Sequence, residues 1–77
     1  MQSLHERARL EVEARLDITQ HPAYSEESPD AAYNDIEWLR ENVFTLAFDY
    51  LCDCNVGRET AGRVAREVRD EMYPKEN

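Results

Sequence analysis

The chain has 77 residues and a formal net charge of -8, from 17 acidic and 9 basic side chains. At this length it can build one modest core worth only a few kcal/mol of net stability. Its apolar runs fall far short of the roughly 20 residues that cross a bilayer, and its charge repels anionic lipid and nucleic acid at long range, so a partner recognised electrostatically is basic.

Ser3 followed three residues later by Glu6 is a capping-box pattern, and Ala, Leu, Arg and Glu dominate the next fifteen residues. These signals predict a first helix over residues 3–20. A competing period is present: Leu10, Val12, Ala14, Leu16 and Ile18 alternate with Glu11, Glu13, Arg15 and Asp17, as in a half-buried strand. The chain offers that strand no second one, so residues 10–18 could be a strand only by pairing across a homodimer. As a helix, the segment carries two apolar stripes, Leu4/Ala8/Val12/Leu16 and Leu10/Ala14/Ile18, an arc wide enough to meet more than one neighbour.

Pro22 turns His21 away from helical geometry, and residues 21–28 are polar, predicting a linker. Ser28-Pro29-Asp30 then supplies an N-cap, a first-turn proline and a first-turn acid, predicting a second helix over 29–54. Ala32, Ile36, Leu39, Val43, Leu46 and Tyr50 form its packing stripe, widened by Phe44, Phe48 and Leu51, so this helix is expected to be central. Trp38 falls near the opposite side and, with Phe48 or Cys52, is a candidate exposed anchor for a partner. Asn55 and Gly57 tolerate the left-handed backbone that ends a helix. A third helix is predicted over 58–73, with Ala61, Val64, Ala65, Val68 and Met72 on its inner face and Pro74 at its end. Gly62 within it costs about 1 kcal/mol relative to Ala unless another backbone approaches closely. The expected fold is a single all-α domain over 1–77, a small three-helix bundle with a long central helix.

Gly57-Arg58-Glu59-Thr60-Ala61-Gly62-Arg63-Val64 resembles the start of the recognition helix in cyclic-AMP-receptor-type transcription factors, over about eight residues. Tyr50, Cys54, Val56, Ala61 and Val64 fall where a helix-turn-helix needs apolar side chains, and Asn55 at its left-handed turn residue. Leu51 departs from the small residue preferred there. The resemblance implies that Arg58, Glu59 and Arg63 read bases while Arg66 or Arg69 contacts phosphate. A nucleotide-binding barrel and a wing are missing from the pattern, and the body of the chain is acidic.

Catalytic chemistry has no visible constellation. Cys52 and Cys54 stand about 200° apart on a helix, so both thiols cannot face one ion, and they are expected to be buried or half-buried in a reducing cytoplasm. His5 and His21 are isolated and expected to be exposed, without a nucleophile at motif spacing. Two glycines cannot build a phosphate cradle, and nothing in the sequence asks for a metal or cofactor. The chain reads as non-enzymatic.

The charge is unevenly spread: residues 1–57 hold twelve acidic and four basic side chains, whereas residues 58–77 hold five of each. On a continuous second helix Asp30, Glu37 and Glu41 share one side, with Asp35, Asp49 and Asp53 round the helix from them, and Glu26 and Glu27 extend the first group into the linker. Such a row can imitate a line of phosphates. The expected function is therefore a protein-binding module, an inhibitor or adaptor that docks Glu26, Glu27, Asp30, Glu37, Glu41 and Trp38 onto the basic groove of a nucleic-acid-binding protein. In size and charge it is similar to phage and mobile-element anti-defence proteins, including anti-CRISPR and anti-restriction proteins. The alternatives are a helix-turn-helix regulator using Arg58, Glu59, Arg63 and Arg66, and an accessory subunit of a larger complex with Trp38 at the contact.

Overall fold

The computed structural model describes residues 2–75, which form an all-α bundle with extents of 41 × 27 × 21 Å and no strand among the described residues. Its helices are α1 (Leu4–Arg15), the short α2 (Asp30–Tyr33), α3 (Ile36–Asp53) and α4 (Arg58–Met72), with a single 3₁₀ turn at Ile18–Gln20. α1, α3 and α4 each pack on the other two, most extensively α3 on α4.

α1 starts where Ser3 Oγ accepts the Glu6 N–H at 3.1 Å. It stops five residues short of the predicted end. Asp17 Oδ1 accepts the Thr19 N–H at 3.0 Å and the Thr19 hydroxyl at 2.6 Å, so a local side-chain turn takes over the backbone donor that another helical turn would have used. The strand alternative for residues 10–18 is overturned: Ala8 and Val12 are buried on a helical face, while Leu10 and Ala14 point outward. Only the first of the two predicted stripes meets neighbours along its length.

The helix predicted over 29–54 is two helices. Ser28 does not cap; Pro29 itself occupies the N-cap of α2, and Asn34 is its C-cap. Asp35 then caps α3, its Oδ1 accepting the Trp38 N–H at 3.1 Å. Asn34-Asp35 are two residues whose short polar side chains compete with helical hydrogen bonds and favour caps. The buried stripe of α3 is Leu39, Val43, Ala47 and Leu51, with Ile36, Leu46 and Tyr50 only half-buried. The stripe follows steps of four because α3 is wedged between α1 and α4 and turns its centre line toward both.

Asn55 takes the left-handed conformation (φ 63°) and Gly57 has φ 87°, and α4 follows at once. Ala61, Val64, Ala65 and Val68 are buried as predicted, with Met72 half-buried. Gly62 has no close backbone neighbour: an added Cβ would meet only Phe48 Cε2, at 4.0 Å. Nine buried residues of α1, α3 and α4 form the main core. Ala32, Leu39 and His21 are buried outside it, toward the N-terminal end of α3.

Polar contacts tie the helices together at the C-terminal end of α4. Arg40, whose side chain is only 13 % exposed, donates to the Tyr73 carbonyl and to Asp70 Oδ1 (2.7 Å), and Arg9 of α1 reaches Glu71 at 2.7 Å.

Candidate protein-docking face

The excess negative charge can be located by subtracting the paired groups. Glu11, Glu13, Glu67, Asp70 and Glu71 each lie within ion-pair distance of an arginine. Asp35 pairs with His21. Among the described residues, ten acids have no such partner: Glu6, Asp17, Glu26, Glu27, Asp30, Glu37, Glu41, Asp49, Asp53 and Glu59. Seven of the ten, Glu26, Glu27, Asp30, Glu37, Glu41, Asp49 and Asp53, belong to the segment from the linker to the end of α3, and all seven are exposed.

Four of them form one feature. Glu37, Glu41, Asp49 and Asp53 sit at four-residue steps along the solvent side of α3, with exposed Thr45 filling the middle step. Each step drifts about 40° round the helix and rises about 6 Å, so the row winds about 160° round α3 over about 24 Å. Asp49 and Asp53 stand on the last turns, where the helix dipole is negative, and no basic residue occupies the last turn of α3. The sequence reading set Asp49 and Asp53 round the helix from Glu37 and Glu41, and the unbroken α3 keeps them so, with Glu41 and Asp49 about 80° apart and Glu37 and Asp53 about 160° apart. Asp30 leaves the row, because α2 and α3 do not share a helical register. Glu26 and Glu27 lie in the loop before α2, where the Glu27 N–H bonds Ser25 Oγ at 3.3 Å.

Trp38 is not a free-standing anchor. Its ring meets His21 edge-on, with centroids 4.8 Å apart and planes at 69°, and the residue is half-buried. The expectation of an exposed His21 is likewise corrected: the residue is 9 % exposed. Its Nε2 lies 2.9 Å from Asp35 Oδ2 and its Nδ1 accepts the Ala23 N–H at 2.9 Å, which fixes the proton on Nε2 in the neutral ring. The bond from His21, then the Trp38 N–H, hold the Asp35 carboxyl below its ordinary value of 3.8. With both nitrogens engaged the ring has no lone pair to offer as a general base. His5 is also only half-buried rather than exposed, 3.0 Å from Glu71.

A groove runs beside the acidic row, with Glu37, Glu41 and Phe44 on the α3 wall and Arg69, Asp70 and Lys75 opposite. Arg69 sits over the Phe44 ring at 5.9 Å and bonds Asp70 at 3.1 Å. That arrangement occupies Arg69, one of the two arginines the resemblance assigned to phosphate contact. Asp70 is held below 3.8 by Arg69 first and then Arg40.

Around the turn the helix-turn-helix expectations are met locally: Asn55 is left-handed, Ala61 and Val64 are buried, and Tyr50, Cys54 and Val56 are half-buried. Leu51 is fully buried where the motif prefers a small residue. Arg58, Glu59, Arg63 and Arg66 share an open surface with Thr60 and Gly62. Arg63 pairs with Glu67 at 3.3 Å, and with Glu59 and Asp70 also exposed on α4 the outer face of this helix is balanced in charge.

Cys52 is exposed, contrary to expectation, because its position on α3 points away from both neighbouring helices; Cys54 is half-buried with Arg7 Nη2 at 3.9 Å from its sulfur. Both are free thiols. Among the described residues no cluster of three or more His, Cys, Asp or Glu is placed to hold a metal ion, and no helix is long and apolar enough to cross a membrane. No known protein family, no curated protein and no solved structure matches the chain.

Proposed function

We propose that this chain is a small non-enzymatic docking protein that lays the acidic row of α3 into a basic groove of a nucleic-acid-binding protein and so occupies the place of a phosphate backbone. The observation that carries this reading is the row itself: Glu37, Glu41, Asp49 and Asp53, exposed and without a basic partner among the described residues. Like charges four residues apart on a helix repel, by about 0.2–0.5 kcal/mol per pair, and a face needed only for solubility does better with both signs interspersed. Within the pairs Glu37/Glu41 and Asp49/Asp53 the carboxylates stand about 6 Å apart along the axis, near the spacing of alternate phosphates on a strand that carries one per 3.4 Å, with about 12 Å between the pairs. Glu26, Glu27 and Asp30 extend the charged surface beyond the helix start. An inhibitor or adaptor of the phage anti-defence kind, working in a reducing cytoplasm, fits these features together with the free thiols.

The test is charge reversal. Glu37→Lys with Glu41→Lys should leave the helical circular dichroism intact and abolish capture of a basic protein from lysate, with the loss appearing as slower association that converges with wild type at high salt. Glu59→Lys with Glu67→Lys makes the same change in net charge on α4 and should retain capture. Equal loss in both would sink the proposal.

A second reading, a helix-turn-helix regulator, is favoured by one observation, the left-handed Asn55 between α3 and α4. It ranks below the first because α4 as a whole carries as many acids as bases, and α2 and α3 before it are net acidic. It predicts a sequence-specific, salt-sensitive shift of duplex DNA that Arg63→Ala relaxes, and the docking reading predicts none at physiological salt.

A further inference from the structure

His21 is the one buried polar or charged residue among those described, and it joins the 21–28 loop to the cap of α3 through both ring nitrogens. The two bonds respond oppositely to a second proton. Nε2 already carries hydrogen toward Asp35, so protonation turns that contact into an ion pair. Nδ1 is an acceptor for the Ala23 N–H, and once protonated it sets two donors against each other at 2.9 Å. The loop side of the clamp therefore loses its bond while the helix side tightens.

We infer that His21 is a pH-operated catch: in its neutral form it pins the turn at Pro22-Ala23 to the N-terminus of α3, and on protonation it releases that turn while staying attached to Asp35. Charge around the ring is consistent with a one-sided release. From α3 the facing group is Asp35, with Glu37 on the same helix end; from the ring's own segment the titratable groups are Asp17, which is turned back onto Thr19, and Tyr24, whose N–H bonds the His21 carbonyl at 3.0 Å. None offers an acceptor that could replace the Ala23 contact on Nδ1 among the described bonds.

The chain has one tryptophan, and its ring lies against His21. Imidazolium quenches indole emission, so Trp38 fluorescence reports the protonation of His21 in the free, full-length protein, and amide exchange at Ala23 reports the bond. The expected result is a single fluorescence transition that tracks the His21 ring resonances, with Ala23 exchange, corrected for its intrinsic pH dependence, rising about tenfold across it. His21→Gln should remove the transition and His5→Gln should leave it. Asp35→Asn, which withdraws the negative charge but keeps a cap acceptor, should move the midpoint to lower pH, which reports the ion pair on the helix side of the clamp. The inference is overturned if Ala23 stays protected while the ring protonates, if the ring does not protonate before the bundle unfolds, or if the Asp35→Asn midpoint is unchanged. None of these readouts involves a partner, so they stand or fall apart from the docking proposal.

Discussion

Replacing Glu41 and Asp49 with lysine should stabilise this protein, although both side chains are exposed and neither touches the core. Each substitution converts a like-charge pair, Glu37/Glu41 or Asp49/Asp53, into an opposite-charge pair at the same spacing. The repulsion removed is about 0.2–0.5 kcal/mol per pair, and the attraction gained is of similar size, so the two changes together give about 0.8–2 kcal/mol. Lysine at position 49 also stands near the negative end of the helix dipole, which adds a few tenths more. For a domain of this size about 1–2 kcal/mol corresponds to a rise in Tm of roughly 4–16 °C. Thermal unfolding followed by circular dichroism measures it, and the gain should shrink as sodium chloride is raised toward 1 M, where the screening length falls to about 3 Å. A variant no more stable than wild type at low salt, or a gain indifferent to salt, would show that the row is not under electrostatic tension. On the docking proposal the same variant should also bind a basic partner less well, so that stability and binding would pull against each other on α3.

Leu51→Ala should destabilise by about 2–4 kcal/mol, because the side chain is fully buried in the main core and its loss leaves a cavity; an unchanged urea midpoint would contradict that packing. Gly62→Ala should stabilise by up to about 1 kcal/mol, since the added methyl meets only ordinary contact with Phe48 and the helix loses its most flexible residue; a lower Tm would mean the site is tighter than its geometry. The carboxyls of Asp17, Asp35 and Asp70 are held below 3.8, so the stability they contribute is complete above that value and is lost as pH falls through their lower folded values. Asp35→Asn and Asp70→Asn should each flatten the fall of the urea midpoint below about pH 4, and a slope identical to wild type would remove those groups from the acid limb.

Much of the fold was legible because its signals are local. Ser3 with Glu6, the Ala61/Val64/Ala65/Val68 face and the left-handed Asn55 each depend on a few adjacent residues, and each sits where the sequence put it. The early end of α1 at Asp17 and the break at Asn34-Asp35 carried local signals too, but propensity and the apolar stripe outweighed them. His21 and Trp38 were misjudged for a different reason. Their burial comes from the 21–28 segment folding back on the start of α3, a contact between positions seventeen residues apart that no periodicity encodes. The acidic residues of α3 were recognised, but Asp30 was grouped with them because the start of α3 at Asn34-Asp35 was not.

The separation of the two buried regions gives the molecule an architectural freedom. Ala32, Leu39 and His21 are buried apart from the nine-residue core that α1, α3 and α4 share. The stretch between α1 and α3 is thus held by its own small set of contacts, and it can be rewritten, lengthened or exchanged without disturbing the main bundle. If the docking proposal holds, a chain arranged this way could change what it recognises by altering the appendage at one end of α3 while inheriting its scaffold intact.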